Sequence, residues 1–104
     1  MAWVSLFLAG IFEIVWASAM KASDGFTRPW PVVLMVVTMA LSFALLAHAM
    51  RSLPLGTAYA VWTGIGALGS FALGIVAMGE PATAMRLGAA GLILSGIVLM
   101  KLAG

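Results

Sequence analysis

One acidic residue, Glu13, lies near the middle of the apolar run WVSLFLAGIFEIVWASAM at positions 3–20. A run of that length can cross a bilayer as a helix. A charged carboxylate at that depth costs roughly 2.5–3.5 kcal/mol on insertion scales. Glu13 must therefore face protein, water or a cation, or carry a proton. At about 100° per residue, Gly10, Glu13, Trp16, Ala17 and Met20 share one side of the helix. Carboxylate and aromatic together suit a desolvated organic cation, through Coulomb attraction and cation–π contact. Burial favours the neutral acid and a cation favours the ion, so proton and cation compete for one group. The plainer reading is a Glu that pairs with an internal base, but no Lys or Arg lies deep in any apolar run.

Other residues able to join this chemistry sit in the second and third runs. Thr38 and Ser42 are one turn apart, and either hydroxyl can reach a carboxylate or its own backbone carbonyl at i−4. Met39 lies beside them. His48 is near a polar end, where contact with headgroups is the simpler role. Tyr59 and Trp62 are three apart and share a face; a site role and a plain interfacial-anchor role both remain open. Thr63 leads into Gly64-Ile65-Gly66, with Gly69 and Ser70 following. These glycines suit a bend in the helix or close helix packing. Gly10, Ala17, Met39 and Thr63 are candidate pocket-lining positions. The fourth run has no titratable residue before Lys101. Gly88, Gly91, Ser95 and Gly96 punctuate its Leu/Ile surface, and Gly91 with Ser95 forms a small-xxx-small pair, which assigns this helix to subunit association.

The elements that position these residues are spans. The chain has 104 residues, 64% hydrophobic and 8% charged, whereas soluble domains carry about a quarter charged residues. The expected fold is all-α and membrane-embedded, a single four-helix transmembrane domain over 1–104. Its helices are expected at about 2–20, 32–50, 57–78 and 87–102. Asp24-Gly25 marks a turn, and Pro29 and Pro31 resist helix continuation before the second span. Pro54-Leu55-Gly56 and Gly79-Glu80-Pro81 mark the later breaks. Trp30 is expected at headgroup level. No Lys or Arg precedes the first run and three further runs follow, so that run is expected to stay as a span rather than act as a cleaved signal. There is no Cys and no metal-ligand cluster, and the net charge of +2 is dispersed. These features argue against thiolate chemistry, nucleic-acid binding and an enzyme active site.

Four spans place both termini on one side, with Arg51 and Lys101. Lys21, Arg28 and Arg86 fall on the other. Two basic residues against three is a marginal bias, compatible with insertion in either orientation. So small a bundle has little interior room for a polar pathway, which favours a closed two-subunit assembly.

Several segments together resemble the small multidrug resistance family, and within it the guanidinium-exporter subtype. They are GIFEIVWA at 10–17 with Lys21 closing the helix, RSLPLGTAYAVWTGIG at 51–66, GEP at 79–81 and LILSGIV at 92–98. The resemblance covers essentially the whole chain. It implies four transmembrane helices and an antiparallel homodimer of oppositely inserted copies. It implies that Glu13 binds proton and cation alternately. Trp16, Ser42, Tyr59 and Trp62 would line the pocket, with Ser42 and Trp16 orienting the carboxylate. Gly64, Ile65 and Gly66 would form the bend of the third helix, and Leu92, Ile93 and Gly96 the centre of the dimerisation helix. Two positions depart from the pattern: His48, where relatives usually carry an aromatic, and Ala89, where some carry Gly. Broad-spectrum drug exporters share Glu13, Tyr59 and Trp62 but tend to carry an aromatic near Met39.

The resulting expectation is a multi-pass protein of the cytoplasmic (inner) membrane of a prokaryote. It exports guanidinium, or small guanidinyl and quaternary ammonium cations, against protons, with no cofactor. The alternatives are a broad exporter of quaternary ammonium and hydrophobic cations, and a non-transporting subunit of a larger assembly.

Overall fold

The computed structural model describes residues 2–103. It contains α1 (Ala2–Ala22), α2 (Pro29–Ala49), α3 (Leu55–Met78) and α4 (Ala84–Ala103). All four are long and apolar enough to cross a membrane. The helices begin earlier than the proline punctuation suggests: α2 starts at Pro29 rather than near 32. The first turn of a helix leaves its N–H groups without intrahelical partners, so Pro29 and Pro31 forfeit nothing there. Likewise α3 starts at Leu55, directly after Pro54, and α4 at Ala84.

The connectors are short and internally bonded. After α1, Asp24, Gly25 and Phe26 all have positive φ, the left-handed turn that Asp24-Gly25 signals. Ser23 is fully buried and anchors this turn. Its hydroxyl donates to the Met20 carbonyl at 2.7 Å and accepts the Phe26 N–H at 3.1 Å. Gly79 ends α3 in the left-handed conformation, and the Glu80 N–H returns to the Gly74 carbonyl at 3.1 Å, closing the helix end. Thr83 caps α4 by accepting the Arg86 N–H at 3.2 Å. The Arg86 guanidinium lies 3.5 Å from Glu80 and 5.2 Å above the Phe71 ring. Both charged side chains are partly exposed, so the pair contributes about 1 kcal/mol or less.

The helices pack in the order α2–α1–α3–α4. The molecule measures 40 × 34 × 16 Å, and a helix with its side chains is about 10–12 Å across. It is therefore a layer of helices rather than a closed bundle, and its wide faces are left for lipid or protein to cover. The core lies towards the side of the termini, where Leu6 and Ala9 of α1 meet Leu46 and Ala49 of α2 and Ala58, Val61 and Trp62 of α3. Small residues let these backbones approach. α4 buries no residue completely and rests on α3 through Ile93 and Ile97, which lie against Gly64.

Candidate functional site

Glu13 lies just beyond this core, on the face of α1 turned towards α3. Its carboxylate rests directly on Gly66, where a Cβ would occupy the same space. Two similar contacts flank it: Ile65 fills the space over Gly10, and Ile14 the space over Gly69. The absent side chains of Gly10, Gly66 and Gly69 thus bring α1 and α3 together around the carboxylate. α3 is helical without interruption from Leu55 to Met78. In this conformation Gly64 and Gly66 serve close packing, the second of the two roles their sequence allows.

The oxygen Oε1 of Glu13 is buried and bonded to no group among the described residues. The indole N–H of Trp16, one turn on, is also buried and unbonded. An acceptor and a donor left unpaired one turn apart, mid-span, are costly unless something else satisfies them. No described Lys or Arg is bonded to the carboxylate.

Ser42 departs from both roles expected of it. Its hydroxyl bonds neither Glu13 nor its own helix. It donates to the Ala9 carbonyl on α1 at 2.6 Å and accepts the Trp62 indole N–H at 3.0 Å. Ser42 is fully buried, so one hydroxyl ties α1, α2 and α3 at the level one turn below the carboxylate. Thr38 takes the local option, donating to the Leu34 carbonyl of its own helix at 2.7 Å.

The aromatic residues form a continuous row. Tyr59 and Trp62 have ring centroids 5.5 Å apart, Trp62 and Phe43 5.8 Å, and Phe43 and Trp16 6.4 Å. Tyr59, Trp62 and Trp16 were identifiable from sequence; Phe43, which joins them, was not. Its one signal was adjacency to Ser42, in a span that is otherwise largely apolar. Of the other candidates, Gly10 is buried under Ile65. Ala17 lines a cleft of about 140 Å³ with Ser18, Ser70 and Glu80. Met39 is half-buried, and Thr63 is exposed. His48 is exposed near the end of α2. Gly88, Gly91 and Gly96 face open space, with nothing within 4 Å of a built Cβ. Leu92 is largely exposed, whereas Ile93 leans towards Gly64 of α3. The Ser95 hydroxyl donates to the Gly91 carbonyl within α4.

Four helices long and apolar enough to span a bilayer, with a carboxylate near the middle of the first, define a multi-pass membrane protein. The sequence profile described as "Small Multidrug Resistance protein" matches residues 1–94, and the chain belongs to that family. It is 55% identical over 103 residues to a protein of Yersinia pseudotuberculosis named "Guanidinium exporter", covering 99% of each chain. A protein of Escherichia coli strain K12 with the same name is 54% identical, over 98% of this chain and 97% of its own length. A third, from Citrobacter freundii, is 50% identical over the same shares.

Proposed function

We propose that this protein exports guanidinium across the cytoplasmic membrane in exchange for protons, acting as a homodimer of oppositely inserted copies. The observation that carries this reading is the buried, unpaired Glu13 oxygen, one helical turn from the buried, unpaired Trp16 N–H. The names of the relatives support guanidinium as the cation. Guanidinium is planar, matches a carboxylate through paired N–H donors, and keeps its charge at neutral pH. It therefore cannot cross lipid as a neutral molecule. The aromatic row from Trp16 to Tyr59 offers flat faces for a planar cation beside that carboxylate.

In the proposed cycle, paired Glu13 carboxylates from two copies release protons and accept one cation. The dimer rocks, and returning protons displace the cation on the other side. Proton and cation are rivals for the same oxygens, so each drives the other off. The layered shape of one copy supports pairing, because a 16 Å slab cannot enclose a cation by itself. The bacterial sources of the relatives support the cytoplasmic membrane.

Proteoliposomes containing only this protein test the reading. Guanidinium should drive proton flux in the wild type, Glu13→Gln should abolish it, and Glu13→Asp should shift its pH dependence. Undiminished coupled flux in Glu13→Gln would eliminate the mechanism. Currents evoked by a tetraphenyl cation but not by guanidinium would instead identify an exporter of bulky hydrophobic cations.

A further inference from the structure

A groove runs along the membrane-spanning surface between α1 and α4. The backbones of α1 and α4 make no close approach to one another, and α3 alone forms the floor between them. Two cavities follow one another along it. One, of about 200 Å³, lies between Trp3, Phe7, Ile65, Ile97 and Lys101. The next, of about 410 Å³, is bounded by Phe7, Ile65 and Ile97 again and continues to Ile14, Gly69 and Leu94. Their shared residues make them one channel. It stops where the Ile14 side chain seats itself on Gly69.

Length, lining and charge agree on one kind of occupant. From Trp3 to Ile14 the groove follows eleven residues of α1, about 16 Å at the helical rise. That is about half of a hydrocarbon core roughly 30 Å thick, the depth of one leaflet. Its lining is aliphatic and aromatic from Trp3 to Leu94. The exception is Lys101, which stands at the outer end with its ammonium 5.1 Å above the Trp3 ring. A lysine on an interfacial tryptophan places a fixed positive charge at headgroup level. No described acidic residue pairs with it. A positive charge there favours an anionic headgroup, while the groove beneath accepts a single extended chain.

We infer that this groove is a binding site for one acyl chain of an anionic phospholipid, whose phosphate lies on Lys101. The lipid fills the gap that the α2–α1–α3–α4 order leaves between α1 and α4, and so braces α4 against the rest of the layer. The inner end of the groove adjoins the Glu13 contacts, since Ile14, Ile65 and Gly69 line it and also flank the carboxylate.

Native mass spectrometry of the intact protein released from nanodiscs tests it. Discs of equal parts phosphatidylglycerol and phosphatidylcholine with identical chains serve as the probe. The wild type should retain phosphatidylglycerol preferentially. Lys101→Gln should reduce that preference about fivefold, the effect of one basic residue near a membrane surface. Leu94→Trp, at an exposed position on the groove wall, should reduce retention of both lipids by filling the channel. A photo-crosslinking benzoylphenylalanine at position 94 should capture phospholipid. Unchanged lipid retention in both variants overturns the inference, and so does capture of a second copy of the chain at position 94 in place of lipid.

Discussion

At the residue scale, the side chain that organises the interior is Ser42. It is fully buried and holds two hydrogen bonds, one to the Ala9 carbonyl and one from the Trp62 indole. Removing it leaves a buried N–H without a partner, which costs about 1–3 kcal/mol. Ser42→Ala is therefore expected to lower thermal stability in detergent by that amount. The same substitution in a Trp62→Phe background should cost less, because the orphaned donor is gone. A wild-type melting temperature for Ser42→Ala would show that the bond does not form. Ser42 also illustrates how far side-chain chemistry could be read ahead. Its polarity within an apolar span marked it as a site residue. Its partner lies 33 positions away, on the neighbouring helix, and no local spacing rule reaches that far.

At the element scale, the glycines of α3 and α4 differ in what they face. Gly66 must remain bare because the Glu13 carboxylate lies against it. Gly66→Ala is expected to leave the helix intact, since Ala favours helix over Gly by about 1 kcal/mol. It should nevertheless cut transport by more than about tenfold by displacing the carboxylate, on the scale of a misplaced reacting group. Wild-type flux in Gly66→Ala liposomes would refute that contact. Gly91 faces open space in the single copy. If α4 stood free, Gly91→Ala would stabilise by helix propensity alone. With α4 at the subunit interface, the added methyl should weaken dimerisation instead, measured as dissociation on dilution in detergent. Span number followed from run length. Helix starts did not, because proline signals a break and an N-terminal first turn equally well.

At the scale of the whole molecule, a thin layer with a buried unpaired carboxylate is, in the proposed function, half of a site. The basic residues divide as Arg51 and Lys101 against Lys21, Arg28 and Arg86, so small changes in charge should set orientation. Two lysines added beside the termini should bias insertion to one direction and suppress export. Co-expression with a copy biased the other way should restore it. Full activity from a singly oriented population would sink the antiparallel dimer. A cysteine at Leu87 in one copy and at Leu99 in the other should crosslink only in the antiparallel arrangement, where opposite ends of α4 share a depth. Both experiments address the assembly without touching Glu13 or its neighbours.

The chain by itself determined that there are four spans and that one carboxylate lies within the first, and it offered Trp16, Tyr59 and Trp62 as candidates to join it. Lipid enforces this legibility: each helix must satisfy its own backbone, so span and depth are local properties of composition and periodicity. The tertiary structure alone decided the α2–α1–α3–α4 order, the seat of Glu13 on Gly66, the hydrogen-bond chain from Trp62 through Ser42 to Ala9, and the place of Phe43 between two tryptophans. Those depend on which helix faces meet. In a chain that is apolar on nearly every side, the pattern of hydrophobic residues does not distinguish a face turned to protein from one turned to lipid.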